Sequence, residues 1–142
     1  MTIGSDAPVV IQSMLSAPSY DMAANISQAI RLRDAGCQII RIAVPDREAV
    51  KLIAALKEQV GLPVVADIHF DYRLALESVS AGVDKVRINP GNIGGEDRVK
   101  AVAVACANAG VPIRIGVNSG SIEREILAKY GGPTPAAMVE SA

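Results

Sequence analysis

Apolar positions along the chain fall into two alternating rhythms. Short runs rich in valine and isoleucine occupy roughly 9–14, 38–44, 63–68, 84–89 and 112–117, as strands would. Between them apolar residues recur at helical spacing, as with Ile26, Ala29 and Ile30, or Val50, Ile53 and Ala54. Asp21, Asp46 and Asp71 stand where a helix N-cap is expected, and Gly36, Gly61, Gly82 and Gly110 follow the helical segments. Four junctions share one layout: Ala35-Gly36-Cys37 leads to Arg41-Ile42, Val60-Gly61-Leu62 to Asp67-Ile68, Ala81-Gly82-Val83 to Arg87-Ile88, and Ala109-Gly110-Val111 to Arg114-Ile115. The strand-to-strand interval of roughly 21 to 28 residues holds one strand plus a crossover helix, so the strands are expected to be parallel.

Such alternation means an α/β fold, either an open doubly wound sheet or a (β/α)8 barrel. No GxGxxG follows the first strand, which counts against a dinucleotide-binding sheet. A whole barrel needs about 250 residues. Five strands and a final helical pattern over 134–142 therefore read as a partial TIM barrel of about five β/α units. On this reading residues 1–142 are the N-terminal portion of a substrate-binding barrel domain in a longer protein. A piece with two raw sheet edges is expected to self-associate or be unstable alone. A self-sufficient five-stranded open sheet is the competing reading.

Alternate residues of a strand point to opposite faces. Ile113, Ile115 and Val117 oppose Arg114, Gly116 and Asn118; Val86 and Ile88 oppose Lys85, Arg87 and Asn89. Ile40, Ile42 and Val44 oppose Ile39, Arg41 and Ala43, while Val64, Ala66 and Ile68 oppose Val65, Asp67 and His69. In the first strand Gln12 lies between Val10 and Met14. Each strand thus has one face for the helices and one with a polar group late in the strand. In a barrel that second face is the lumen, and its C-terminal end carries the active site. Gln12, Arg41, Asp67, His69, Arg87, Asn89, Arg114 and Asn118 would converge there. Three arginines against one aspartate leave surplus positive charge, which suits a polyanion held by guanidinium forks. Each arginine could instead serve a structural pair, Arg41 with Asp67 for instance. His69 fits a satisfied lumen histidine as well as an active-site donor. The loops 89–95 and 118–121 leave the arginine-bearing strands. Their glycines, and a helix expected to open at the second loop, would offer backbone amides to an anion.

Composition narrows the ligand. The net charge of −1 and the four aromatic residues argue against nucleic acid, which needs a basic surface or a stacking platform. No run of 18 apolar residues could span a membrane, and no secretion signal stands at the N-terminus. Cys37 and Cys106 lie far apart with no ligand-spaced partner, so they read as core thiols of a reducing, cytoplasmic protein. One histidine excludes an all-histidine metal site, and no metal is assigned within the chain.

Longer strings carry a resemblance. Val65-Ala66-Asp67-Ile68-His69-Phe70-Asp71-Tyr72-Arg73, Arg87-Ile88-Asn89-Pro90-Gly91-Asn92-Ile93-Gly94 and Pro112-Ile113-Arg114-Ile115-Gly116-Val117-Asn118 closely resemble the 4-hydroxy-3-methylbut-2-enyl diphosphate synthase family. Gln12-Ser13-Met14, Arg41-Ile42-Ala43-Val44-Pro45 and Tyr130-Gly131-Gly132-Pro133-Thr134-Pro135 fit it in the same order. The resemblance implies an oxidoreductase of the non-mevalonate isoprenoid pathway acting on 2-C-methyl-D-erythritol 2,4-cyclodiphosphate. It also implies a 4Fe-4S cluster whose ligands lie outside this chain, ferredoxin or flavodoxin as electron donor, and a homodimer. Arg41, Arg87, Asn89, Arg114 and Asn118 would contact the diphosphate or line its pocket, with Asp67 and His69 beside them. The chain alone is expected to be inactive. After Met14 the family prefers Thr-Asn-Thr where Leu15-Ser16-Ala17 stands here, a departure that bears on contacts from the first loop. Two other readings compete: a diphosphate-binding transferase related to dihydropteroate synthase, and a non-catalytic truncated module.

Overall fold

The computed structural model describes residues 1–4 and 6–142. Five strands alternate with helices: β1 (Gln12–Met14), α1 (Met22–Asp34), β2 (Ile39–Ala43), α2 (Arg47–Gln59), β3 (Val64–Ile68), α3 (Tyr72–Ser80), β4 (Lys85–Ile88), α4 (Pro90–Ile93), α5 (Glu96–Ala109), β5 (Ile113–Ile115), α6 (Arg124–Tyr130) and α7 (Pro135–Ser141). All strand pairs are parallel, in the order β1-β2-β3-β4-β5. That order settles the choice between sheet types. A doubly wound sheet reverses its strand order and carries helices on both faces. Here the order never reverses, as in a barrel wall with its helices outside. The architecture is a partial barrel.

Local chemistry sets the element ends. The Asp21 and Asp46 carboxylates accept from the backbone N–H groups of Ala24 and Ala49, and Asp71 accepts from Arg73 N, so each caps its helix as expected. Gly36 closes the turn after α1 at φ +95°, a conformation that would strain any residue with a Cβ. β1 is shorter than the apolar run 9–14. Ile11 O already accepts from the first N–H groups of the β2 segment, Gln38 and Ile39, so Val9 and Val10 run ahead of any pairing residue.

The helix-facing side of the sheet is the core. Ile40, Ile42, Val44, Val64, Ala66, Ile68, Val86 and Ile88 are buried against Ala29, Ala49, Leu52, Ile53, Leu56, Leu74, Ala75, Val102 and Cys106. At roughly 1.5–3 kcal/mol for each large buried side chain, this layer fixes the strand register that orients the opposite face. No helix among the described residues is long and apolar enough to cross a membrane.

Two expected features differ. The segment after β4 is not an open loop, since Pro90–Ile93 forms one helical turn capped by the Asn89 side chain. The helix after β5 begins at Arg124 rather than at Ser119 to Ser121, because Ile122 first turns inward and is buried.

Candidate anion-binding mouth of the barrel

Strand register brings Ala43, Asp67, Arg87 and Arg114 level with one another across β2 to β5. Asp67, in the fully buried β3, is the hub. Arg41 Nη2 donates to Asp67 Oδ2 at 2.5 Å, and Arg87 Nη1 donates to Oδ1 at 2.9 Å. His69 Nε2 lies 3.5 Å from Oδ2. The alternation of side chains therefore assembles Arg41, Asp67, His69 and Arg87 into one connected group. The structural pair between Arg41 and Asp67 is present within it.

Burial alone would push the Asp67 carboxyl up. The hydrogen bonds and charges of Arg41 and then Arg87 outweigh it, and the carboxyl sits below its ordinary range. The hub is thus a carboxylate, and its charge is spent on two guanidinium groups. Arg41 Nε is buried with no partner among the described residues, so this fork meets the carboxylate through its far nitrogen only.

Arg87 is held from a second side, by a partner outside the residues expected to bind. Its Nη2 donates to Gly116 O at 3.1 Å, and a Cβ at position 116 would stand 2.3 Å from Arg87 Nε. Parity had placed Gly116 on the lumen face between Arg114 and Asn118. A glycine there, beside an arginine-bearing strand, was the available signal.

Asn89 is brought to a different set of partners. Its side chain is buried, Nδ2 donates to Ser121 Oγ at 2.6 Å, and Oδ1 accepts from Gly91 N at 3.2 Å. Ser121 Oγ donates in turn to Asn118 O at 3.1 Å. Gly91, Asn92 and Ile93 all direct their N–H groups to Asn89. Three of the amides expected to be free for an anion in this loop, those of Gly91, Asn92 and Ile93, are therefore consumed by its cap.

Gln12 and Arg114 lie apart from the Asp67 hub. They line a cleft of about 600 Å³ with Lys85, Ile39, Ile113 and the N-terminal residues Ile3, Gly4, Ala7, Pro8, Val9 and Val10. A cleft shared by residues of both outer strands fits a sheet curved around its lumen. Arg114 is exposed and has no ion-pair partner among the described residues, and Asn118 is exposed beyond it. Arg41, Lys85, Arg87 and Arg114 face one carboxylate, a surplus of three positive charges on the lumen side.

An apolar groove of about 570 Å³ between α1 and the end of α2 lies on the helix side and carries none of these groups. Among the described residues no three histidine, cysteine, aspartate or glutamate side chains stand together as a metal site would require. Cys37 and Cys106 are both buried and free, Cys37 Sγ donates to Ile39 O, and burial pushes the Cys106 thiol up. Neither fits as a thiolate ligand of an iron-sulfur cluster.

Comparison with known proteins agrees with this architecture. The model of the GcpE TIM-barrel domain family matches residues 1–142. The chain is 56% identical over 142 residues to the 4-hydroxy-3-methylbut-2-en-1-yl diphosphate synthase (flavodoxin) of Bacillus cytotoxicus, covering all of this chain and 39% of that protein. The Bacillus mycoides protein of the same name is 55% identical over the same span, again 39% of its length. The chain thus spans about two fifths of the curated relatives it matches. Among solved structures, the Yersinia pestis dihydropteroate synthase superposes with a TM-score of 0.62 at 16% identity, over 93% of this chain and 52% of that one. The N-acetylmannosamine-6-phosphate 2-epimerase from Clostridium perfringens gives 0.56 at 15% identity, over 85% and 56%. Those two likenesses concern the fold alone. The whole-length match and the high identity place this chain in the GcpE TIM-barrel family.

Proposed function

We propose that the chain is the anion-gripping part of a longer reductase acting on 2-C-methyl-D-erythritol 2,4-cyclodiphosphate. The product on this reading is 4-hydroxy-3-methylbut-2-enyl diphosphate, formed by opening the ring and losing a hydroxyl as water. The reading is supported by relatives named as diphosphate synthases that use flavodoxin. One observation carries it: the charge imbalance of the mouth. Asp67 is occupied by Arg41 and Arg87, while Arg114, level with Arg87 on the next strand, has no carboxylate among the described residues. Two phosphoryl groups supply the missing negative charge, and guanidinium forks match their oxygens.

The residues then divide by task. Arg87 and Arg114 grip the diphosphate from neighbouring strands, and Arg41 adds charge from the far side of Asp67. Asn118 donates an amide at the rim, and Gln12, paired with Ile39 at the start of β2, offers one from deeper along the lumen. His69, partly exposed beside Asp67, offers a donor or proton carrier at the mouth. Asp67 fixes the direction of two arginines and need not touch the substrate. Asn89, buried and bonded to Ser121 and Gly91, supports the mouth from within the fold.

The reduction needs two electrons, supplied on this reading through a 4Fe-4S cluster from flavodoxin or ferredoxin. The two cysteines of this chain do not fit as its ligands, so the cluster is assigned to another part of the protein. A cytoplasmic homodimer belongs to the same proposal, and so does inactivity of this chain alone.

Titration of the full-length protein with the cyclodiphosphate and with a pterin diphosphate tests the proposal. Tighter binding of the cyclodiphosphate is expected. Preference for the pterin would overturn it in favour of a dihydropteroate synthase-like transferase.

A further inference from the structure

Arg114 sits on a three-residue strand that is paired on one side only among the described residues. Something must hold it at a fixed distance from Arg87 if the two are to grip one ligand. The β4–β5 ladder covers only Val86–Ile113, Arg87–Arg114 and Ile88–Ile115, and Gly116 N continues it by donating to Ile88 O. Beyond that point the two chain segments diverge into α4 and the loop before α6, so Asn118 stands past the ladder that holds Arg114.

A second tie closes the gap further out. Asn89, with 1% of its surface exposed, reaches across to Ser121 Oγ at 2.6 Å. The same hydroxyl donates to Asn118 O, so Ser121 uses it both to accept and to donate. The backbones also touch at this crossing: a Cβ on Gly91 would stand 1.9 Å from Ser121 O. Only glycine at 91 permits that approach. With its one donor engaged on Asn118 O, the Ser121 hydroxyl has none left for an anion, and its place in the fold is to join the β4 exit to the β5 exit.

We infer that Ser121 is a positioning residue that locks the two exit loops together through Asn89 and so sets where Asn118 stands relative to Arg87 and Arg114. The inference deepens the diphosphate-binding reading and rests on it for its effect on affinity. The lock itself does not depend on the ligand.

The test uses the full-length protein with Ser121→Ala and Ser121→Thr. In Ser121→Ala, amide hydrogen exchange is expected to accelerate in 90–94 and 116–122 together, since both loops lose one shared tie. Affinity for the cyclodiphosphate is expected to fall about tenfold, a size typical of supports that orient a ligand-binding side chain. Ser121→Thr keeps the hydroxyl and is expected to restore both readouts. Unchanged exchange in 90–94, or unchanged affinity in Ser121→Ala, would overturn the inference. If the parent protein binds no cyclodiphosphate while the paired exchange response is present, the functional reading fails and the lock survives. A normal parent with an unresponsive Ser121→Ala variant removes the lock alone.

Discussion

Arg87 and Arg114 occupy the same level of the sheet on adjacent strands, yet their surroundings are opposite. Arg87 is held by Asp67 on one side and Gly116 O on the other, and its side chain is 14% exposed. Arg114 is exposed, with no ion-pair partner among the described residues. The difference follows from position. An interior strand can supply a neighbour on both sides, and a guanidinium half-removed from water must find a counter-charge or carbonyl there. Among the described residues β5 has a neighbouring strand on one side only, and none of their carboxylates takes up the Arg114 fork. Arg87 is aimed by its bonds to Asp67 and Gly116 O, while Arg114 is open among the described residues.

The contrast between the two arginines depends most on Asp67. Asp67→Asn preserves the shape of the side chain but removes the charge that Arg41 and Arg87 share. Two guanidinium groups then face each other across a neutral amide whose own N–H groups point at donors. Loss of one partner of a buried pair costs about 3–5 kcal/mol. Arg41 and Arg87 keep some solvent contact, so the lower end, about 3 kcal/mol, is expected in urea unfolding. A loss under about 1 kcal/mol would mean that Arg87 is no more fixed than Arg114.

Much of this frame was legible in the sequence because it is local. Strand alternation has a period of two, so Arg41, Asp67 and Arg87 had to share a face once β2, β3 and β4 were recognised. Asp21, Asp46 and Asp71 announced their helices through cap chemistry that operates within three residues. The partnerships between strands were less visible. Nothing at Asn89 points to Ser121, 32 positions later, and the cap it places on α4 converted an expected anion loop into a closed turn. The start of α6 was missed for a similar reason: burial of Ile122 depends on packing that no local pattern encodes.

Acid acts on the held arginine through the same carboxyl. The Asp67 carboxyl is held below its unfolded value of about 3.9. A depressed carboxyl contributes stability that is fully present above the unfolded value and is lost as pH falls through the folded one. Unfolding free energy is therefore expected to lack any contribution to its slope from Asp67 between pH 5 and 7, and to fall below about pH 4. Asp67→Asn should lose that part of the acid slope, measured by urea unfolding across the same range. An unchanged acid slope in the variant would place the titrating charge elsewhere.

The smallest effect on stability belongs to Arg114, and it is the most discriminating. An exposed side chain with no partner contributes within about 0.5 kcal/mol, so Arg114→Met is expected to unfold like the parent protein. The methionine keeps most of the apolar stem and removes only the charged fork. If that fork grips a phosphoryl group, cyclodiphosphate affinity in the full-length protein should drop at least tenfold, since hydrogen bonds to charged groups are worth about 1.5–3 kcal/mol. Asp67→Asn loses stability and affinity together, because it disturbs the framework that aims Arg41 and Arg87. Arg114→Met should separate the two quantities, with affinity lost and stability kept. Stability falling in step with affinity would show that Arg114 also belongs to the framework, and the division between held and open arginines would disappear.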